Sequence, residues 1–301
     1  MAAAERAAAP VVAPRSRYLT TSDGVRLHLL EAAARTSPAQ APVIVLLVPG
    51  WSMPATIWRR QMALSGAGVA AVVALDPRGQ GQSDVPGGGF HIDRRADDLN
   101  EVVSHLLGTA QGAKPRLVLV GWSLGALEAL HYLRRHGEAE IAGLVLVDSS
   151  IGEGPAPDAP SAAGSAPRTN GFADELRRDR RAALKNFMRA IFRQPPPQAE
   201  LDALTDAALR LPLEASLALF PSTLPREHWQ SATRSFTKPL LYALTPQFEA
   251  QAASLRKHRP ATQIELFPQA GHALFADEPE RFNRMLSAFI AALSAPSATA
   301  P

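Results

Sequence analysis

Short apolar runs recur along this chain, and most contain no polar residue. They lie at residues 43–48, 70–75, 117–120, 144–147, 240–244 and 264–267. Continuous runs of this kind are typical of strands buried on both faces of a parallel sheet, because neither face of such a strand meets water. Each run therefore predicts a strand of a common sheet.

Amphipathic stretches alternate with these strands. Residues 93–107 place apolar side chains at helical spacing, and residues 126–136 and 279–293 are predicted helices as well. Two β-prone runs at 17–20 and 25–30 flank an Asp-Gly turn and predict an opening hairpin. Strands alternating with helices favour right-handed crossovers, so we predict the α/β class with a doubly wound, mostly parallel sheet.

The alternation stops after residue 148. Residues 152–171 are rich in Gly, Pro, Ala and Ser, which predicts a mobile loop because little apolar surface is available to order it. Helices are predicted at 172–192, 198–211 and 213–220, with prolines at the breaks. This segment indicates a helical cap inserted into the sheet domain.

The predicted organisation is one core with an insertion. A chain of 301 residues that is 46% hydrophobic can bury a large single core, so two independent domains are disfavoured. We expect a flexible tail at 1–14, a first part of the core at 15–150, a cap at 151–237, a second part of the core at 238–293 and a tail at 294–301.

Composition excludes several classes of function. The chain carries 31 basic and 28 acidic residues, mostly scattered, so no nucleic-acid partner is expected. It has no cysteine, which excludes disulfides, thiolate catalysis and cysteine metal sites. No apolar run approaches the roughly 18 residues that span a bilayer, and the first 14 residues lack a signal-peptide pattern. We expect a cytoplasmic protein with a small-molecule substrate, no membrane partner and no cofactor.

A candidate nucleophile, Ser123, stands in the sequence Gly-Trp-Ser-Leu-Gly at residues 121–125. An apolar strand precedes it and a helix follows, which is the setting of a strained turn that exposes a serine hydroxyl at the edge of a sheet. Serine needs a base to remove its proton. His272 follows the last predicted strand in a glycine-led loop, so it should reach the same edge as Ser123.

Two further loops follow central strands. Residues 49–51 read Pro-Gly-Trp and precede a predicted helix at 55–64. Residues 76–83 read Asp-Pro-Arg-Gly-Gln-Gly-Gln-Ser, which we interpret as a shaped, hydrogen-bonded loop, because it lacks the Lys-Ser/Thr ending of a phosphate-binding loop.

These motifs, the hairpin and Ala-Gly-His at 270–272 together resemble the α/β-hydrolase superfamily, over about residues 17–293 apart from the cap. The resemblance implies a serine hydrolase with a nucleophile elbow and a catalytic triad, acting through an acyl-enzyme on Ser123. It also implies an oxyanion hole formed by the backbone N–H groups of Trp51 and Leu124.

The acid of the triad has two candidates. Most members of the superfamily carry an Asp after the strand that corresponds to residues 239–244, but Thr-Pro-Gln-Phe-Glu stands here, with Glu249 as the nearby carboxylate. Thr245 and the proline after it predict a helix cap, which would put Glu249 in a first helical turn. Other members carry the acid one strand earlier, where Asp148 lies. Asp148 is favoured, and Glu249 or a Ser–His dyad stays open.

The predicted reaction is the hydrolysis of a carboxylic ester or a related acyl bond. Lactonase, thioesterase, carbon–carbon hydrolase and perhydrolase activities would use the same machinery. A serine in place of an aspartate nucleophile argues against dehalogenase and epoxide hydrolase chemistry. An alternative from another class is a non-catalytic member of the fold that binds a small molecule.

Overall fold

The computed structural model describes residues 13–34, 42–66, 68–109, 114–154, 169–219 and 224–294. Among these residues, eight strands form one sheet. The strands are β1 (Arg15–Thr20), β2 (Arg26–Ala33), β3 (Val43–Val48), β4 (Val69–Asp76), β5 (Arg116–Trp122), β6 (Ile141–Val147), β7 (Leu240–Leu244) and β8 (Gln263–Leu266).

The sheet is mostly parallel, as the sequence predicts. Its spatial order is β1-β2-β4-β3-β5-β6-β7-β8. Only β2 runs antiparallel to its neighbours β1 and β4, and the strands from β3 to β8 pair in parallel. The carboxyl ends of β3 to β8 therefore share one edge, where parallel α/β sheets bind their ligands.

Helices cover both faces of the sheet. They are α1 (Ile92–Gly108), α2 (Leu124–His136), α3 (Thr169–Arg178), α4 (Arg180–Ala190), α5 (Gln198–Leu209), α6 (Leu213–Ala218), α7 (Arg226–Ser235), α8 (Glu249–His258), α9 (Leu274–Asp277) and α10 (Pro279–Ser294). Along β3, Val45 and Leu47 join one apolar cluster, whereas Ile44 and Leu46 join the other. The apolar run of β3 thus supplies both cores. No helix in the described ranges is long and apolar enough to cross a membrane.

Two predicted helices differ from the observed backbone. Residues 55–64 form two short 3-10 helices, Ala55–Trp58 and Gln61–Leu64, because tertiary contacts fix this path: the Gln61 amide donates to the carbonyl of Phe275 at 3.0 Å. Residues 172–192 are divided between α3 and α4. The Asp179 carboxylate accepts the N–H of Ala182 at 3.0 Å and so starts a new helix inside the predicted one.

Along the chain, helices α3 to α7 form an insertion between β6 and β7. The predicted mobile stretch 152–171 lies mostly outside the described residues, but its first residues are held rather than loose. The Arg226 guanidinium donates to the carbonyls of Gly152, Glu153 and Gly154 at 3.1, 3.1 and 2.7 Å. The Glu153 carboxylate is fully buried against Arg234 at 2.5 and 2.8 Å. These contacts favour an ordered chain at residues 152–154, and the mobility of the segment stays a prediction.

Candidate active site

The turn between β5 and α2 has the strained form that its sequence predicts. Ser123 has φ +54° and ψ −120°, a backbone conformation that residues other than glycine rarely adopt. A Cβ on Gly121 would lie 2.4 Å from the carbonyl oxygen of Gly125. A Cβ on Gly125 would lie 2.5 Å from the carbonyl oxygens of Val48 and Pro49. Both glycines are thus required by close backbone approach, and together they place Ser123 at the amino end of α2.

Asp148 follows β6 directly and is fully buried. One of its carboxylate oxygens accepts the N–H and the hydroxyl of Thr245, each at 2.7 Å. The other accepts the Gln247 amide at 2.9 Å and Nδ1 of His272 at 2.7 Å. These donors replace the water that burial removes from the carboxylate.

The contact with Asp148 fixes the tautomer of the His272 ring. Because a carboxylate only accepts hydrogen bonds, Nδ1 carries a proton and Nε2 of the neutral ring is left with its lone pair. The His272 side chain is 25% exposed. In the described part of the chain, no hydrogen bond joins the Ser123 hydroxyl to His272. Unliganded catalytic sites often show this, and the contact tightens with substrate.

Backbone contacts hold the His272 loop on two sides. The Trp122 indole N–H donates to the carbonyl of His272 at 2.9 Å, which ties the loop to the residue before Ser123. On the other side, the Asp277 carboxylate accepts the N–H groups of Gly271 and Arg193 at 2.7 and 2.9 Å. The insertion and the histidine loop therefore share one carboxylate.

Glu249 lies exposed in the first turn of α8, and the carboxylate bonded to His272 belongs to Asp148. The helix cap predicted at Thr245 also differs from the structure. Thr245 precedes a 3-10 turn, Pro246–Phe248, without a side-chain cap, because its hydroxyl donates to Asp148 instead.

The two predicted oxyanion donors flank Ser123. Leu124 is the first residue of α2, so its N–H has no acceptor within the helix. Trp51 follows β3, in the turn that begins at Pro49. A Cβ built on Gly50 would lie 3.2 Å from Cβ of Ser123, which places this turn directly against the candidate nucleophile.

The insertion covers the Trp51 turn. The Trp51 indole N–H donates to the carbonyl of Ser216 in α6 at 2.8 Å. Its rings meet Phe172 of α3 and Phe187 of α4 edge-on, with centroid separations of 5.8 and 5.3 Å. Edge-to-face packing of this kind adds to the apolar burial. No sequence pattern marks Ser216, because its contact with Trp51 uses a backbone oxygen.

Tyr242 of β7 supports the backbone just after Asp148. Burial raises the pKa of Tyr242 well above its usual value, and the negative charge of Asp148 adds to this effect. The phenol therefore stays protonated and donates to the carbonyl of Ser149 at 2.8 Å.

A second Ser–His–Asp set lies elsewhere on the sheet. His28 is fully buried, and its Nδ1 is 2.7 Å from Asp76 while its Nε2 is 2.9 Å from the Ser16 hydroxyl. Ser16, however, lies on an ordinary strand, without a strained turn or a following helix. Asp76 also accepts the N–H groups of Gln82 and Ala55. These contacts confirm the shaped, hydrogen-bonded loop predicted at 76–83.

A metal site is not apparent in the described ranges, where no three His, Asp or Glu side chains are grouped to hold an ion.

This chain belongs to the α/β-hydrolase family, whose sequence model matches residues 45–285. The match confirms the predicted fold and the class of enzyme.

Among its relatives is a pimeloyl-[acyl-carrier protein] methyl ester esterase of Vibrio vulnificus. It is 30% identical over 265 residues, and the match covers 83% of this chain and 94% of that protein. A bifunctional esterase/perhydrolase of Acinetobacter calcoaceticus is 33% identical over 132 residues, 44% of each chain.

Solved structures resemble the whole domain. An esterase from a Rhodococcus species has a TM-score of 0.70 and 25% identity, covering 94% of this chain and 100% of that one. A bromoperoxidase from Bacillus anthracis has a TM-score of 0.76, with coverage of 92% and 100%. At 21% identity, it supports the fold alone.

Proposed function

We propose that the chain hydrolyses carboxylic esters of small molecules through an acyl-enzyme on Ser123. The observation that carries this proposal is the 2.7 Å bond between Asp148 and His272, at the sheet edge where Ser123 stands on its strained turn. The esterase relatives named above support the choice of an ester over other acyl bonds.

The acylation step follows from the assigned roles. Nε2 of His272 takes the proton of the Ser123 hydroxyl as the serine oxygen attacks the ester carbonyl carbon. The N–H groups of Trp51 and Leu124 stabilise the resulting oxyanion. The carbon–oxygen bond to the alcohol then breaks, and the imidazolium gives its proton to the departing alkoxide. Asp148 holds the ring and stabilises its positive charge.

Deacylation repeats these roles with water. His272 removes a proton from a water molecule, the water oxygen attacks the acyl carbon, and the bond to the Ser123 oxygen breaks. Serine recovers its proton from the imidazolium, and the carboxylic acid leaves. Opening of the same acyl-enzyme by hydrogen peroxide would give a peracid, and the esterase/perhydrolase relative favours this as a second activity.

In this proposal, residues 151–237 form a cap over a core made of residues 15–150 and 238–293. The aromatic contacts of Phe172 and Phe187 with Trp51 support it, because they place insertion side chains beside a proposed oxyanion donor. Side chains of the cap would then select the acyl or alcohol group of the substrate.

Replacing the nucleophile tests the proposal. Ser123→Ala should lower kcat toward p-nitrophenyl esters by at least about 10⁴-fold and leave the unfolding midpoint near that of the parent. Ser16→Ala is the matched control, because that serine also contacts a buried histidine–aspartate pair. Comparable losses in the two variants, or none in Ser123→Ala, would refute the assignment.

A further inference from the structure

Gln80, in the loop after β4, reaches the turn that carries Trp51. Its side chain is buried, with 1% exposed. The amide nitrogen is 2.8 Å from the carbonyl oxygen of Met53 and 3.4 Å from that of Gly50. The Gly50 oxygen also accepts the N–H of Met53 at 3.2 Å. The carbonyl of Gly50 therefore accepts two hydrogen bonds, one from the loop after β4 and one from within its own turn.

The orientation of this amide is determined by its neighbour. The Arg95 guanidinium lies 3.2 Å from the amide oxygen of Gln80 and can only donate. The oxygen of Gln80 consequently faces Arg95, and its NH₂ group faces the two carbonyls. All of these groups are buried, so rotation of the amide would leave several of them without a partner.

Arg95 is itself fixed by an ion pair. Its guanidinium meets the Glu128 carboxylate at 2.7 to 2.8 Å, and both side chains are almost completely buried. Glu128 belongs to α2, one helical turn after Leu124. A continuous set of contacts, from Glu128 through Arg95 to Gln80, thus joins the nucleophile helix to the Gly50 carbonyl.

The Gly50 carbonyl and the Trp51 N–H belong to one peptide group. A trans peptide is planar, and its C=O and N–H point in opposite directions. Holding the carbonyl therefore fixes the direction of the N–H. We infer that Gln80 is a positioning residue that aims the Trp51 N–H at the oxyanion. Glu128 and Arg95 hold Gln80 at a fixed position relative to Leu124. This inference rests on the proposed function of Ser123.

Gln80→Met tests this role because it keeps the length of the side chain and removes both amide contacts. We expect kcat to fall about 10- to 100-fold, less than the loss when a donor is removed outright, while KM changes by less than about threefold. Affinity for a trifluoromethyl ketone, which forms a tetrahedral adduct, should fall by a factor similar to that in kcat. Gln82→Met, an exposed change in the same loop, should match the parent in all three quantities.

Gln80→Glu is the second variant, because it keeps the shape and the acceptor for Arg95 while turning a carboxylate oxygen toward two carbonyls. It should lose at least as much kcat as Gln80→Met. Each kcat is divided by the fraction of protein that is folded, and this fraction is measured by chemical unfolding.

Parent-like kcat in a folded Gln80 variant would overturn the inference, as would equal losses in Gln82→Met or failure of both Gln80 variants to fold. A different result would refute the proposed function, namely that the parent enzyme does not use Ser123.

Discussion

Residue types alone do not distinguish the proposed nucleophile of this protein from other serines. Ser16, His28 and Asp76 are connected in the same way as a triad, yet Ser16 lies on a regular exposed strand. Ser123 differs in having a positive φ and in preceding α2, whose first N–H groups have no acceptor within the helix. At this scale, the strained turn directly before a helix separates Ser123 from Ser16.

Asp148→Asn should lower kcat up to about 10⁴-fold, because an asparagine amide can favour the wrong tautomer of His272. Steady-state kinetics with a p-nitrophenyl ester would measure the loss. Glu249→Gln, at an exposed carboxylate, serves as the control and should change kcat little. The opposite pattern would assign the acid to Glu249.

Sequence patterns predict Ser123 and His272 as the nucleophile and base, whereas they only favour Asp148 over Glu249 as the acid. The two visible residues stand beside glycines, whose patterns report the turn. The position of Asp148 depends instead on pairing between strands: its N–H donates to the carbonyl of Ala243 in β7 at 2.8 Å. Only this juxtaposition brings the Thr245 and Gln247 donors to its carboxylate.

At the scale of elements, the loop that carries His272 is joined to the insertion. Asp277→Ala would leave the N–H groups of Gly271 and Arg193 without their shared acceptor. The free energy of unfolding should fall by about 1–3 kcal/mol, as measured in urea. Asp174→Ala is the control, since that carboxylate is 78% exposed and pairs with Arg177 on the surface of α3. An equal effect in the two variants would contradict the role assigned to Asp277.

Helix boundaries in the insertion were less predictable than those of the core. The break at Asp179 depends on one capping side chain, and α7 has only three buried residues, Trp229, Ala232 and Thr233. Its place depends on long-range polar contacts, such as that between Arg234 and Glu153. Local apolar periodicity does not report such contacts.

For the whole molecule, apolar runs predicted a parallel sheet because strands buried on both faces lack polar residues. They did not predict the order of the strands. β4 lies between β2 and β3, and this follows from which edges pair in space. The order of the elements along the chain can therefore be predicted from the sequence, whereas the contacts between distant elements cannot.

A pH-sensitive contact joins α7 to two helices of the core. His131 of α2 lies 2.9 Å from His228 of α7 and 2.6 Å from Asp93 of α1. Burial lowers the pKa of His228, the nearby charges of His131 and Arg134 lower it further, and Asp93 opposes them. The hydrogen bond from His131 lowers the pKa of Asp93, although burial opposes this.

These shifts give the sign of the pH dependence. The lowered pKa of His228 means that its stabilising contribution is complete above the unfolded value of about 6.5 and is lost as pH falls through the folded pKa. The contribution of Asp93 persists until pH falls below about 3.9.

The free energy of unfolding should therefore decrease between pH 7.5 and 5.5, and His228→Gln should weaken that decrease. His105→Gln, at a partly exposed histidine of α1, should leave the slope unchanged. Identical slopes for the parent and His228→Gln, measured by denaturant titration, would argue against the contribution of His228.

Mapping of a fluorophosphonate adduct tests the central claim most directly, because the probe forms a stable bond only with an activated serine. We predict one adduct per chain, located by peptide mass spectrometry on Ser123. It should be absent from Ser123→Ala and undiminished in Ser16→Ala. An adduct on another serine, or ester hydrolysis by a protein that takes up no label, would contradict the account.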